Sequence, residues 1–145
     1  MNVLVIGSGA REHALSRRLY AEGNRVSCAP GNAGTAETAE NLPLNPDDAG
    51  AVIRACGEGQ ADLVVIGPED PLAAGLADRL RDAGYPVFGP GAEAARLESS
   101  KDFARAFAER NGVPRARTEV LRTESDLRDY IERTSGKRVL KKSGL

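Results

Sequence analysis

Four apolar residues run straight into a glycine turn and then a helix: Val3-Leu4-Val5-Ile6-Gly7-Ser8-Gly9-Ala10-Arg11-Glu12-His13. An unbroken apolar run of this length suits a parallel strand covered on both faces. The glycines allow a sharp turn and a close approach of backbone N–H groups to a ligand. A helix that starts at once points its free N–H groups and its dipole at the same spot, which makes the junction an anion site, most often for phosphate.

The same alternation recurs along the chain and predicts a parallel α/β sheet. Strands are expected at residues 2–6, 25–28, 62–66 and 85–88. Helices are expected at 10–21, with Ala14, Leu15 and Leu19 toward the sheet, and at 72–83, with Leu72, Leu76 and Leu80 inward. Between them Asn45 is placed to cap a helix with Pro46 in its first position and Ala49, Val52, Ile53 and Cys56 on its apolar face. This completes a four-stranded, doubly wound unit near residue 91.

The rest has a different texture. Ser99-Ser100-Lys101-Asp102 opens a helix expected to bury Phe103 and Phe107 and to stop at Asn111-Gly112. Residues 118–121 read as a strand. Thr123, with Asp126 three residues on, caps a helix turning Leu127, Tyr130 and Ile131 inward. Ser135-Gly136 turns, and residues 138–141 read as a further strand before Ser143-Gly144-Leu145. About 30 residues are too few for a free-standing domain without staples, so the expectation is one complete domain, 1–98, and the opening of a second, 99–145.

Composition excludes several classes. In 145 residues the acidic and basic side chains nearly cancel, to a net charge of -1, which offers no electrostatic case for nucleic acid or a membrane surface. Three Phe, three Tyr and no Trp leave little for stacking on bases. No stretch is apolar enough to span a bilayer, and Gly7 and Arg11 interrupt any signal-peptide core. Cys28 and Cys56 are isolated, without a zinc pattern, which fits burial in a reducing, cytoplasmic compartment.

Ligands of open parallel sheets sit beyond the carboxyl ends of the strands. Four Gly- and Pro-rich loops leave those ends: 7–9, 30–35, 67–71 and 89–91. Any one of them is ordinary turn chemistry; four on one edge point to a small-molecule site. A dinucleotide is not the expected ligand. Its fingerprint needs a third glycine where Glu12 stands and an acid near the end of the second strand, where the chain reads Ser27-Cys28-Ala29-Pro30. There is no Walker lysine either. The polar groups at the edge are Arg11, suited to phosphate; Glu12, able to accept from hydroxyls; Asn32 and Thr35, suited to sugar or phosphate; and Glu69, placed for a ribose hydroxyl or an amine. His13, the one histidine, reads as a hydrogen-bonded helix residue rather than a general base. Lys101 opposes the dipole of the helix it opens, which hints at a ligand.

Together these stretches resemble the phosphoribosylamine–glycine ligase family. The segments at 3–15, at 29–35 (Ala-Pro-Gly-Asn-Ala-Gly-Thr), 67–72 (Gly-Pro-Glu-Asp-Pro-Leu), 88–90, 97–103 (Leu-Glu-Ser-Ser-Lys-Asp-Phe) and 113–116 follow the family's order. The resemblance implies a Rossmann-like domain followed by the start of an ATP-grasp domain. It implies a cytoplasmic, monomeric ATP-dependent ligase of purine biosynthesis, in which glycine's carboxylate is phosphorylated with ATP and Mg2+ and the amine of 5-phosphoribosylamine attacks the glycyl phosphate. Carried over, Gly9, Arg11, Asn32, Gly34, Thr35 and Glu69 would line the phosphoribosylamine region, and Lys101 and Lys141 would reach ATP. Ala10 departs from the family's third glycine, and Lys142 and Ser143 stand where Ala and Asp are usual. The chain stops before the family's glycine-rich ATP loop, so the catalytic residues and metal ligands are expected beyond residue 145, and a fragment inactive alone is expected. The alternatives are a stand-alone sugar-phosphate-binding module and a nicotinamide-dependent Rossmann protein.

Overall fold

The computed structural model describes residues 1–142. Its first compact unit, Met1–Ala95, is built on five parallel strands: β1 (Asn2–Gly7), β2 (Arg25–Pro30), β3 (Glu40–Asn41), β4 (Leu63–Ile66) and β5 (Val87–Phe88). Their order across the sheet is β3-β2-β1-β4-β5, so β1 is central and the chain reverses direction of growth between β1 and β4. Register is continuous through the centre, with Val3 opposite Val26 on one side and Leu63 on the other.

The apolar run of β1 is explained by burial on both faces. Leu4 and Ile6 join Val64 and Ile66 in one core, closed by α2 (Ala49–Glu58) and α4 (Leu76–Asp82) through Val52, Cys56, Leu76 and Leu80. Val3 and Val5 point the other way, into a core with Val26, Cys28 and Val65, against which Leu15 and Leu19 of α1 (Ala10–Ala21) pack. Side chains two apart share a face, so one strand feeds both cores. Burial pushes the thiol of Cys56 up to about 11, and that of Cys28 upward as well.

Several local expectations are corrected. Ala14 is exposed; the inward face of α1 carries Glu12 and Ser16, both buried, beside Leu15 and Leu19. Asn45 does not cap α2. Its side chain accepts from the Asp47 N–H, forming a turn, and Asp48 is the cap, accepting from the Ala51 N–H at 3.0 Å. The helix expected at 72–83 is two helices, α3 (Glu69–Ala73) and α4, because Gly75 takes a left-handed conformation, φ +84°. Leu72, Leu76 and Leu80 are nevertheless all buried. The strand at 85–88 shrinks to two residues. The elements not anticipated include β3 and α5. β3 is polar and has no strand pattern, and is held by pairing with Ser27 and Cys28. α5 (Ala92–Ser99) begins where Asp78 accepts from the Ala92 N–H at 2.7 Å.

A second unit begins at Arg96. Ser100 caps α6 (Lys101–Arg110), accepting from the Phe103 N–H, and Asn111 ends it. Thr123 and Asp126 form the expected reciprocal cap of α7 (Glu124–Arg133). Hydrogen bonds from the Arg122 N–H and then the Thr123 N–H hold the Asp126 carboxyl below its ordinary value. The expected inward faces are not buried: Phe107 is exposed, Phe103 half-buried beneath the Arg96 guanidinium, and Ile131 is 50% exposed. No strand forms at 118–121 or at 138–141, because an extended segment without a neighbour has nowhere to put its N–H and C=O groups except water. Ser143, Gly144 and Leu145 lie outside the described residues.

Candidate functional site

The strand order places the sheet's switch point at the carboxyl ends of β1 and β4, where ligands of this architecture are received. Three loops meet there.

The first surprise lies inside the glycine turn. Gly9 is the N-cap of α1, and its N–H, the donor expected to be offered to a ligand, donates instead to Glu12 Oε2 at 2.7 Å. Glu12 is only 3% exposed. The turn's anion is therefore internal: a carboxylate of the same helix meets the dipole where a bound phosphate would. The glycines serve this packing. A Cβ on Gly7, whose φ is +127°, would lie 2.6 Å from Glu12 Cγ, and one on Gly9 would lie 2.8 Å from Oε2. Gly67, at the end of β4, is pressed just as closely against Glu12 Oε1. Glu12 thus occupies the seam between β1 and β4 rather than reaching out for a hydroxyl.

Glu12 Oε1 is buried without a hydrogen bond; its nearest cation is Arg11, whose Nε lies 3.6 Å away. The other end of the Arg11 guanidinium reaches Glu69 of the β4 loop, Nη2 to Oε2 3.6 Å. Glu69 opens α3 and is half-buried, while Arg11 is largely exposed. A line of alternating charge, Glu12–Arg11–Glu69, crosses the switch point.

On the other side of β1 the loop after β2 is knitted to the glycine turn by Asn32. Its amide donates to the Ser8 and Gly9 carbonyls at 2.8 and 3.3 Å, and its Oδ1 accepts from the Gly34 and Thr35 N–H groups at 2.7 and 3.0 Å. Thr35 is fully buried; its hydroxyl donates to Asn41 Oδ1 at 2.7 Å, and Asn41 in turn donates to the Asn32 carbonyl. The His13 ring lies over Gly34 so closely that a Cβ there would sit 2.6 Å from Cε1. Asn32 and Thr35 are therefore loop organisers. The half-buried His13 ring of α1 covers Gly34, and Ala33 at the tip of the loop is exposed.

Gly9, Arg11, Asn32, Gly34, Thr35 and Glu69 thus come together on one edge. The Gly89-Pro90-Gly91 loop is held separately, by Arg81, which donates to the Gly89 carbonyl, and by Asp78, which accepts from the Ala92 N–H. Lys101 is the first residue of α6 and Lys141 follows α7, both exposed, in the second unit. Asn41 was missed: it sits in a two-residue strand that no local pattern announces. A cavity of about 320 Å³ lined by Asn2, Arg25, Leu42, Leu44 and Glu58 shares no residue with this edge. Among the described residues no group of three or more His, Cys, Asp or Glu is placed to hold a metal ion, and no helix is long and apolar enough to cross a membrane.

Sheet order, two-faced core and edge site define a Rossmann-like α/β unit whose first turn is closed by its own carboxylate. The family described as "Phosphoribosylglycinamide synthetase, N domain" matches residues 1–98. The chain belongs to this family, the phosphoribosylamine–glycine ligases. It is 48% identical over its whole length to the phosphoribosylamine–glycine ligase of Streptomyces coelicolor, and 45% identical over 89% of its length to the human trifunctional purine biosynthetic protein adenosine-3, of which the match covers 13%. The crystal structure of the Thermotoga maritima phosphoribosylamine–glycine ligase superposes with a TM-score of 0.76 at 34% identity, covering all of this chain and 34% of that one. The chain spans about 35% of the length of the Streptomyces relative.

Proposed function

We propose that the carboxyl edge of the sheet holds 5-phosphoribosylamine, and that the chain serves the ligation of glycine to that amine in purine biosynthesis in the cytoplasm. The observation that carries this is the Glu12–Arg11–Glu69 line at the switch point, in a chain whose relatives bear the ligase's name. Glu69, half-buried at the edge, is a carboxylate suited to the donors of an amine or ribose hydroxyl. Arg11, largely exposed, offers the cationic surface that a phosphate requires. Gly9, Asn32, Gly34 and Thr35 shape the backbone on the other side of the ligand. The arrangement also argues against a dinucleotide, since the first-turn amide is already satisfied and β2 ends at Pro30 without an acid.

In this proposal residues 1–98 form the substrate domain and 99–145 the beginning of the ATP-grasp domain, with Lys101 and Lys141 on the ATP side. ATP, when bound, supplies the phosphoryl group that activates glycine's carboxylate. The contribution of this edge is positioning: it holds one reactant so that the second meets its amine.

The test is a titration of the chain with ribose 5-phosphate, followed by 1H–15N NMR. Shifts clustered at Gly9, Arg11, 32–35 and Glu69 are expected, and Glu69→Gln should weaken binding. A spectrum that does not respond, or responds only at the cavity around Asn2 and Leu42, rules the proposal out.

A further inference from the structure

We infer that Glu12 is a positioning residue for this edge: it fixes Arg11, and through Arg11 it sets the orientation of Glu69. This rests on the sugar-phosphate reading of the edge for its functional consequence, but not for its geometry.

Three observations converge. First, Glu12 is buried where a charge is expensive to keep, and only one of its oxygens has a hydrogen bond, from the Gly9 N–H at 2.7 Å. A side chain needed only to cap the turn requires one acceptor oxygen, which a glutamine would supply as well. Second, the other oxygen, Oε1, lies in the β1–β4 seam with Arg11 Nε at 3.6 Å as its charge partner. A carboxylate oxygen at that range attracts the guanidinium and restrains its direction. Third, Arg11 is otherwise exposed, on a side chain with several free torsions, yet its Nη2 stands 3.6 Å from Glu69 Oε2. A surface pair of this kind contributes little to stability by itself. Anchored at one end by a buried carboxylate, the same arginine has one preferred direction, and that direction is toward Glu69. Gly7, Gly9 and Gly67 leave the space in which Glu12 can do this. The ligand therefore meets at Glu69 a carboxylate whose pose was settled before binding, and that lowers the ordering cost of association.

Glu12→Gln separates capping from positioning, because the amide oxygen still accepts from Gly9 but the charge that holds Arg11 is gone. In the unliganded chain, the Arg11 Nε–H NMR signal should move to the position of a freely rotating arginine. Ribose 5-phosphate should bind about tenfold more weakly, the scale of one charge-assisted contact. Glu69→Gln added to Glu12→Gln should cost much less than it costs in the unmodified chain. Arg11→Gln changes an exposed residue and keeps the test open if Glu12→Gln proves unstable. Because Arg11 also faces the phosphate, the readout there is coupling: Glu69→Gln added to Arg11→Gln should cost much less than it costs in the unmodified chain, with the Gly9 amide signal in place. An Arg11 signal indifferent to Glu12→Gln overturns the inference, as do independent, multiplicative losses from Glu12→Gln and Glu69→Gln. If the unmodified chain ignores ribose 5-phosphate but Arg11 still responds to Glu12→Gln, the positioning stands and the sugar-phosphate reading falls.

Discussion

In the sheet unit Val5, Ile6, Val64 and Leu80 are withdrawn from water, whereas no residue of α6 or α7 is buried. The two regions are held by different means. β1 is a poor strand by itself; it is defined because two parallel neighbours take up its backbone groups and two layers of helix cover its faces. α7 is defined almost wholly by local signals, a reciprocal Thr123–Asp126 cap and the i, i+4 pair of Glu124 with Arg128. Ten residues of helix with such support are marginal in water unless a face is packed. Local and tertiary stabilisation can thus be tested separately in one chain.

The widest gap should come from truncating matched isoleucines. Ile6→Ala, at a wholly buried position, is expected to cost about 2–5 kcal/mol, while Ile131→Ala, at a half-exposed one, should stay within about 0.5 kcal/mol, both read by urea denaturation. Equal losses would break the contrast. Next, Gly67→Ala should cost about 1–3 kcal/mol by forcing a methyl against Glu12, with the melting curve as readout. A neutral result would show that the seam can yield. Thr123→Ala should cost about 1 kcal/mol of helix stability in α7, seen as faster amide exchange there with β1 unchanged.

The smallest expected effect is the pH dependence of that cap. The Asp126 carboxyl is held below its ordinary value of 3.8 by the Arg122 and Thr123 N–H groups. A depressed acid contributes stability above its unfolded value and loses it as pH falls through the folded one. Exchange in α7 should therefore quicken on acidification below about pH 4, and the effect should vanish in Asp126→Ala. An α7 indifferent to acid would mean that something other than the cap holds it.

Much of the fold was legible because period and punctuation agree with it. The apolar runs at β1 and β4, the 52, 53, 56 face of α2, the inward leucines 72, 76 and 80, and the caps at Ser100 and Thr123 are all local signals. The errors share a cause. Pro46 after Asn45 is a good helix start, yet Asp48 capped α2 instead, since a turn at Asn45 satisfies the same groups. The β3 pairing, the break at Gly75 and the missing strands after α6 depend on which neighbours are present, and that is not written in a window of ten residues.

At the site, the residue types at the strand ends alone selected one edge and disfavoured a dinucleotide, because a missing glycine and a missing acid are facts of spelling. That Gly9 is spent on Glu12, that Asn32 and Thr35 face inward to hold a loop, and that Arg11 joins Glu12 to Glu69 were decided only in three dimensions. Residues 11 and 69 are distant in sequence and meet because β1 and β4 are neighbours. Glu12 takes its hydrogen bond and its cation from residues beside it, Gly9 and Arg11, whereas strand order sets Gly67 against its other oxygen and Glu69 at the far end of Arg11, because only the packed sheet brings the β4 loop to the β1 turn.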